Sequence, residues 1–174
     1  MRRLILITGP RDSGKTRLVE ELAQRLSRQG IKVGGVLSVA VLAGHVKTEY
    51  HLVEVPTGIR MPYAMKKNVP ATPGSARGFS FSAEGLEFGC ASLRRALREN
   101  PAVLIVDEAG PLEMGGAGLW GPLKEAAATF AGELVVTVRP DLVSGLRERL
   151  GAPPGKVLVF SPADCDAVLR ALCP

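Results

Sequence analysis

The stretch Leu4-Ile5-Leu6-Ile7-Thr8-Gly9-Pro10-Arg11-Asp12-Ser13-Gly14-Lys15-Thr16 decides how this 174-residue chain folds. Its apolar start, residues 4–7, is typical of a buried strand, and residues 16–28 have the apolar spacing of a helix. Between them, residues 9–16 match G-x-x-x-x-G-K-[ST], the signature of a phosphate-binding loop. A strand, a glycine-rich turn and a helix are the context that this signature requires, so we predict a P-loop.

The chemistry of such a loop follows from its backbone. N–H groups of the turn and of the first helical turn converge on phosphate oxygens, where the helix dipole also favours an anion. Lys15 adds a cation for the β- and γ-phosphates, and the Thr16 hydroxyl is a ligand for Mg²⁺. The predicted nucleotide-binding residues are Gly9, Pro10, Arg11, Asp12, Ser13, Gly14, Lys15, Thr16 and Arg17.

Length and composition indicate an ordinary globular protein. Hydrophobic residues make up 46% of the chain and charged residues 22%, so we predict a single domain over residues 1–174. No apolar stretch reaches the roughly 18 residues that a membrane span needs, and no membrane association is expected. Cys90, Cys165 and Cys173 lack metal-ligand spacing, and this odd, scattered set indicates reduced thiols and a cytoplasmic location.

The formal net charge of +5 is compatible with two kinds of partner. A basic surface could bind nucleic acid, but it equally suits a protein that binds polyphosphates. We favour nucleoside triphosphates over nucleic acid as the ligand, and we expect a monomer.

The rest of the chain predicts an α/β fold. A strand from Ile31 to about Val39 is expected to form a hairpin with residues 45–55, and further strands are expected at 102–106, 134–138 and 157–160. Residues 56–80, rich in proline and glycine, are interpreted as a long irregular insert. Strands alternating with helices predict a three-layer fold with a mostly parallel central sheet, in which ligands lie beyond the carboxyl ends of the strands.

Two carboxylates stand at one of those strand ends. The apolar run 102–106 leads directly into Asp107 and Glu108, which is the Walker B pattern. Asp107 is the predicted Mg²⁺ residue. Glu108 is the predicted catalytic carboxylate, because a second carboxylate at this point could orient a water molecule and accept its proton.

Thr137 and Arg139 follow the next strand and could reach the γ-phosphate. Arg139 would then join Lys15 and Glu108 as a catalytic residue by supplying positive charge to the transition state. A surface arginine before Pro140 is an equally open interpretation.

Three classes of function fit a P-loop followed by an Asp-Glu pair. Hydrolysis of a nucleoside triphosphate uses the glutamate directly, since water is then the acceptor. A nucleotide or nucleoside kinase could use the insert 56–80 as a lid, and a nucleotide-dependent switch could bind nucleic acid or a protein. The N-K-x-D motif of guanine-specific GTPases does not occur in the chain.

Three stretches resemble the small P-loop nucleoside-triphosphatases described in thermophilic prokaryotes and, in vertebrates, as cancer-related nucleoside-triphosphatase. Residues 7–16 are similar to that family's P-loop, residues 106–114 to its D-E-x-G-x-[ML]-E signature, and Val138-Arg139 to its layout near the end of the chain. The resemblance implies Mg²⁺-dependent hydrolysis of ATP, GTP and other triphosphates. It also implies that one strand separates the P-loop strand from the Walker B strand, and it adds Glu113 to the candidate site.

The chain departs from the family pattern at two places. Asp12 stands where the family usually has a second P-loop glycine, so its carboxylate either lies beside the phosphates or points to solvent. The family's G-F-x-T-x-E-x-R pattern is replaced by residues 35–41, which lack its acidic and basic members. Lys47 or His45 could compensate, although a solvent-exposed position in the hairpin is expected for His45.

Overall fold

Within residues 3–67 and 78–172, which the computed structural model describes, eight strands form one sheet in the order β5-β4-β3-β2-β6-β7-β1-β8. The strands are β1 (Arg3–Thr8), β2 (Val33–Ala43), β3 (Val46–Glu54), β4 (Arg60–Lys66), β5 (Phe79–Phe81), β6 (Val103–Ala109), β7 (Glu133–Val138) and β8 (Val157–Phe160). The helices are α1 (Lys15–Arg28), α2 (Ala83–Glu99), α3 (Pro111–Met114), α4 (Trp120–Thr129), α5 (Val143–Arg149) and α6 (Cys165–Leu172).

Five of these strands, β2, β6, β7, β1 and β8, run parallel, and β3 to β5 extend the sheet in antiparallel pairs. β7 lies between the P-loop strand β1 and the Walker B strand β6, as the resemblance implied. The predicted α/β fold with a mostly parallel sheet is therefore confirmed.

Helices cover both faces of the sheet and exclude solvent from the central strands. Leu18, Leu22 and Leu26 of α1 pack on one face with apolar residues of α6, and apolar residues of α2, α4 and α5 pack on the other. Leu4, Ile5, Leu6 and Ile7 are completely buried between the two layers. A parallel strand covered on both faces reads as a continuous apolar run, which is why β1 was recognisable.

The interpretation of residues 56–80 as an irregular insert is wrong for its ends. Residues 60–66 form β4, paired with β3, and residues 79–81 form β5 on the outer side of β4. In the sequence, Pro62 favoured a loop over a strand, because proline lacks the N–H that the hydrogen-bond ladder of a sheet needs. It sits beside a register shift in β3, between Tyr50 and His51, where the ladder is irregular and proline is tolerated. Residues 68–77 of the predicted insert lie outside the described part.

The predicted hairpin is confirmed, and it is longer than expected. β2 runs on to Ala43 instead of ending near Val39, although its pairing with β6 stops at Val36. The part of β2 beyond Val36, together with β3, β4 and β5, is called the arm below. The arm stands beside the carboxyl end of β6, where Asp107 and Glu108 lie.

Two further features of the described residues concern the length of their helices and their cysteines. No helix among them has both the length and the apolar character needed to cross a bilayer. Cys90 and Cys165 are free thiols, as expected, whereas Cys173 lies outside the described residues.

Candidate active site

The P-loop joins β1 to α1 and requires two left-handed backbone conformations. Gly14 has φ 91°, which glycine adopts without a steric penalty, whereas Asp12 has φ 61°. Gly14 is also the N-cap of α1, and it offers no side chain to the first N–H groups of the helix. These groups are therefore available to an anion.

Lys15 lies folded over the loop that precedes it. Its Nζ donates hydrogen bonds to the carbonyl oxygens of Gly9, at 2.8 Å, and Pro10, at 2.7 Å. Burial lowers the pKa of the Lys15 ammonium, the charges of Glu108 and Asp107 raise it, and those of Arg139 and Arg11 lower it. The predicted cation thus lies within electrostatic reach of both Walker B carboxylates and of Arg139.

Asp107 is 1% exposed and is held through both carboxylate oxygens. Thr137 Oγ1 donates to its Oδ1 at 2.5 Å, and the Ser38 backbone N–H donates to its Oδ2 at 3.0 Å. Burial raises the pKa of Asp107 to about 6, and hydrogen bonds from Thr137, Thr16 and Ser38 oppose that rise. The structure therefore brings Thr16 and Asp107, the two predicted metal residues, together.

This pair supplies the kind of donor that Mg²⁺ prefers. A threonine hydroxyl and an aspartate carboxylate are hard oxygen ligands, and Mg²⁺ commonly completes its shell with water and substrate phosphates. Residues 3–67 and 78–172 hold no group of three His, Cys, Asp or Glu side chains that could bind a metal by themselves. The residues present fit a Mg²⁺ ion that is shared with a nucleotide.

Glu108 has an unusual backbone conformation beside this pair. Its φ is 69°, in the left-handed region that non-glycine residues rarely occupy, and its side chain is exposed. The Glu108 N–H donates to Thr137 Oγ1 at 2.6 Å. Strained backbone of this kind occurs preferentially at functional sites, where the surroundings hold it.

Thr137, one of two residues that could reach the γ-phosphate, makes its hydrogen bonds within the site. Its hydroxyl is fully buried between Asp107 and Glu108. The oxygen accepts from the Glu108 N–H, and the proton is donated to Asp107. Thr137 thereby links the Asp107 carboxylate to the backbone of Glu108.

Arg139 is half-buried at the end of β7, with 23% of its side chain exposed. Its Nη2 donates to Asp141 Oδ2 at 2.8 Å, whereas its Nε is buried without a hydrogen-bond partner among the described residues. Thr8 Oγ1 and Ser13 Oγ are likewise buried and unpartnered within this part of the chain. All three atoms belong to segments at the P-loop edge of the sheet.

Asp12 is paired with a cation from the arm. Its carboxylate forms an ion pair with the Lys47 ammonium, although 68% of the Asp12 side chain remains exposed. Lys47, considered above as a substitute for the missing members of the G-F-x-T-x-E-x-R pattern, therefore pairs with the P-loop, and His45 is exposed in the turn, as expected. The negative charge that this chain carries in its P-loop therefore has a positive partner.

Glu113 supports the loop after β6. Its Oε2 accepts from the Gly110 N–H at 3.0 Å and its Oε1 from the Leu119 N–H at 3.2 Å. The side chain is 6% exposed, and burial raises its pKa. Because backbone groups occupy both oxygens, the geometry favours a structural role over direct contact with a substrate.

Ser38 and Tyr63 belong to the site although the sequence did not point to them. Ser38 Oγ lies 2.7 Å from Tyr63 Oη and 3.3 Å from Glu108 Oε2. Ser38 occupies the threonine position of the G-F-x-T-x-E-x-R pattern, and that match was the available signal. Tyr63 lies in β4, within the segment interpreted as an insert, and carried no signal.

The fold and the P-loop define a P-loop NTPase. A family model described as NTPase matches residues 4–172, and the chain belongs to this family.

Known relatives agree with this assignment. Nucleoside-triphosphatase THEP1 of Thermococcus kodakarensis is 32% identical over 111 residues, which cover 63% of this chain and 61% of that protein. THEP1 of Methanopyrus kandleri is 26% identical over 147 residues, covering 83% and 79%. The match to the Thermococcus protein thus spans less than two thirds of that protein's length.

Two solved structures share the fold. A human cancer-related nucleoside triphosphatase superimposes with a TM-score of 0.76 at 20% identity, covering 99% of this chain and 98% of that one. THEP1 from Aquifex aeolicus gives a TM-score of 0.71 at 21% identity, covering 97% and 96%.

Proposed function

We propose that the protein hydrolyses nucleoside triphosphates, ATP and GTP among them, to the diphosphate and inorganic phosphate with Mg²⁺ as cofactor. The observation that carries this proposal is the position of Glu108. Its carboxylate is the second one at this strand end, directly beside Asp107, and it faces the charge of Lys15. Small-molecule kinases often need only the aspartate at this position, whereas a glutamate beside it suits water as the acceptor, because it can take the proton that the water loses.

Each residue has a defined part in this mechanism. The P-loop N–H groups and Lys15 bind the phosphates, and Lys15 exchanges its loop carbonyls for phosphate oxygens. Thr16 and Asp107 would hold Mg²⁺, which neutralises charge on the phosphates. Glu108 orients the attacking water and accepts its proton. Arg139 stabilises the charge that develops on the transferred phosphoryl group.

The remaining expectations are part of the same proposal. We infer a monomeric, cytoplasmic protein built as one domain over residues 1–174, with nucleoside triphosphates rather than nucleic acid as its ligands. Base selectivity should be low.

The test of the proposal is phosphate release from ATP, GTP, CTP and UTP, with Mg²⁺ and with a chelator. We expect release from several triphosphates that requires Mg²⁺. Tight nucleotide binding with no release from any of them would contradict hydrolysis and support a kinase or a switch.

Replacing Arg139 tests the charge-stabilising role. Arg139→Ala is expected to lower kcat about 100-fold with little change in KM, because a preorganised charge acts mainly on the transition state. Arg139→Lys should retain part of the activity. Arg98→Ala, an exposed arginine in the last turn of α2, is the matched control. Parent kcat in Arg139→Ala would show that Arg139 is a surface residue.

The Asp12–Lys47 ion pair should affect substrate binding. Lys47→Met leaves Asp12 uncompensated in the phosphate-binding loop, and we expect KM to rise about fivefold at low salt and less at high salt. Asp12→Gly combined with Lys47→Met should restore the parent KM, since glycine also accepts φ 61°. Lys66→Met, at an exposed site on β4, is the control. Equal KM values in the single and double variants would refute the compensation.

A further inference from the structure

Two hydroxyl groups of the arm form a series of hydrogen bonds that leads to the carboxylate of Glu108. Tyr63 Oη lies 2.7 Å from Ser38 Oγ, and Ser38 Oγ lies 3.3 Å from Glu108 Oε2. Ser38 is 3% exposed, so its hydroxyl is shielded from competing water. This series of contacts connects β4 to β2 and β2 to the end of β6.

The chemistry of the three groups fixes the direction of the hydrogen bonds. An ionised Glu108 can only accept, so the Ser38 hydroxyl must donate its proton to Oε2. Because the only hydroxyl proton of Ser38 is used in that bond, Ser38 Oγ acts as the acceptor toward Tyr63, and the Tyr63 hydroxyl must donate. Burial, and then the nearby charge of Glu108, raise the pKa of Tyr63, which keeps its hydroxyl protonated and able to donate.

Ser38 also contacts the other carboxylate through a different atom. Its backbone N–H donates to Asp107 Oδ2 at 3.0 Å, while its side chain donates to Glu108. One residue of the arm therefore holds both Walker B side chains. The side-chain contact is removable without loss of the backbone contact.

We propose that Ser38 and Tyr63 are positioning residues for Glu108: Tyr63 orients the Ser38 hydroxyl, and that hydroxyl fixes Oε2 so that Oε1 is presented to the attacking water. This inference rests on the proposed hydrolysis. It assigns a catalytic task to the arm, which also supplies Lys47 to Asp12 of the P-loop. Without the Ser38 hydroxyl, the exposed Glu108 side chain would sample other rotamers.

The test measures kcat, KM and nucleotide affinity in a set of hydroxyl deletions. Ser38→Ala is expected to lower kcat about 30-fold and Tyr63→Phe about 10-fold, the range for losing one hydrogen bond to a charged group or its support. KM and the Kd for Mg²⁺-nucleotide should stay within about twofold, because the P-loop is untouched. Ser38→Thr should retain activity, since its hydroxyl can make the same bond.

Two comparisons separate positioning from a general loss of structure. Ser38→Ala combined with Tyr63→Phe should be no slower than Ser38→Ala alone, because Tyr63 acts through Ser38. In a Glu108→Gln background, Tyr63→Phe should have no further effect. Tyr50→Phe removes another hydroxyl from the arm and is the matched control, since the described residues give that hydroxyl no hydrogen bond.

The outcomes distinguish this inference from the proposed function. If the parent releases phosphate and Glu108→Gln does not, while Ser38→Ala and Tyr63→Phe keep the parent kcat, the positioning role is wrong and hydrolysis stands. Additive losses of kcat in the double variant would also overturn the positioning role. So would a Ser38→Thr variant as slow as Ser38→Ala. If the parent itself releases no phosphate, the proposed function fails first.

Discussion

Glu108→Gln is expected to lower kcat for phosphate release about 1,000-fold while the Kd for Mg²⁺-nucleotide stays within about threefold of the parent value. Glutamine preserves the shape of the side chain and can still accept the Ser38 hydrogen bond, but it cannot take a proton from water. General-base catalysis contributes about 10²- to 10⁴-fold in enzymes, which sets the size of the loss.

The measurement pairs steady-state phosphate release with nucleotide binding by calorimetry. Glu87→Gln, at an exposed position of α2, is the control for removing one negative charge. Parent turnover in Glu108→Gln would exclude Glu108 as the base. Loss of binding together with turnover would instead indicate a role in holding the substrate.

Lys15→Ala is expected to have the second large effect, and this variant should lose nucleotide affinity as well as turnover. We expect kcat/KM to fall about 1,000-fold or more, with a nucleotide Kd raised by at least about 100-fold, because Nζ is the mobile cation for the β- and γ-phosphates. In the proposed mechanism, phosphate oxygens replace its two acceptors, the carbonyl oxygens of Gly9 and Pro10.

Calorimetric titration with Mg²⁺-ATP and Mg²⁺-GTP measures this loss directly. Lys124→Ala, an exposed lysine on α4, controls for the change in net charge. Unchanged nucleotide affinity in Lys15→Ala would mean that the loop does not bind the triphosphate, even though its sequence matches the P-loop signature.

The features that could be predicted are those with local, fixed spacing. The P-loop and the Asp107-Glu108 pair are short motifs that follow apolar strands, and parallel topology brings both to the same edge of the sheet. The position of β7 between β1 and β6 required the family resemblance, since no local pattern specifies which parallel strands are neighbours.

The parts of the site that could not be predicted depend on register over long distances. Ser38 and Tyr63 are 25 residues apart, and they meet because β2, β3 and β4 pair with a register shift at Tyr50/His51. Asp12 and Lys47 are 35 residues apart and meet because β2 and β3 extend beyond the sheet core. β4 was missed for a local reason, since Pro62 lies within it and prolines and glycines are frequent in residues 56–80.

The most direct test of the central claim, that water activated by Glu108 is the acceptor, follows the γ-phosphate of labelled ATP with the parent protein. The reaction is run with Mg²⁺, with and without added nucleoside and nucleoside monophosphate acceptors. We predict that the label appears as inorganic phosphate at the same rate in every mixture. Transfer of the label to an acceptor, with none released as free phosphate, would contradict the account.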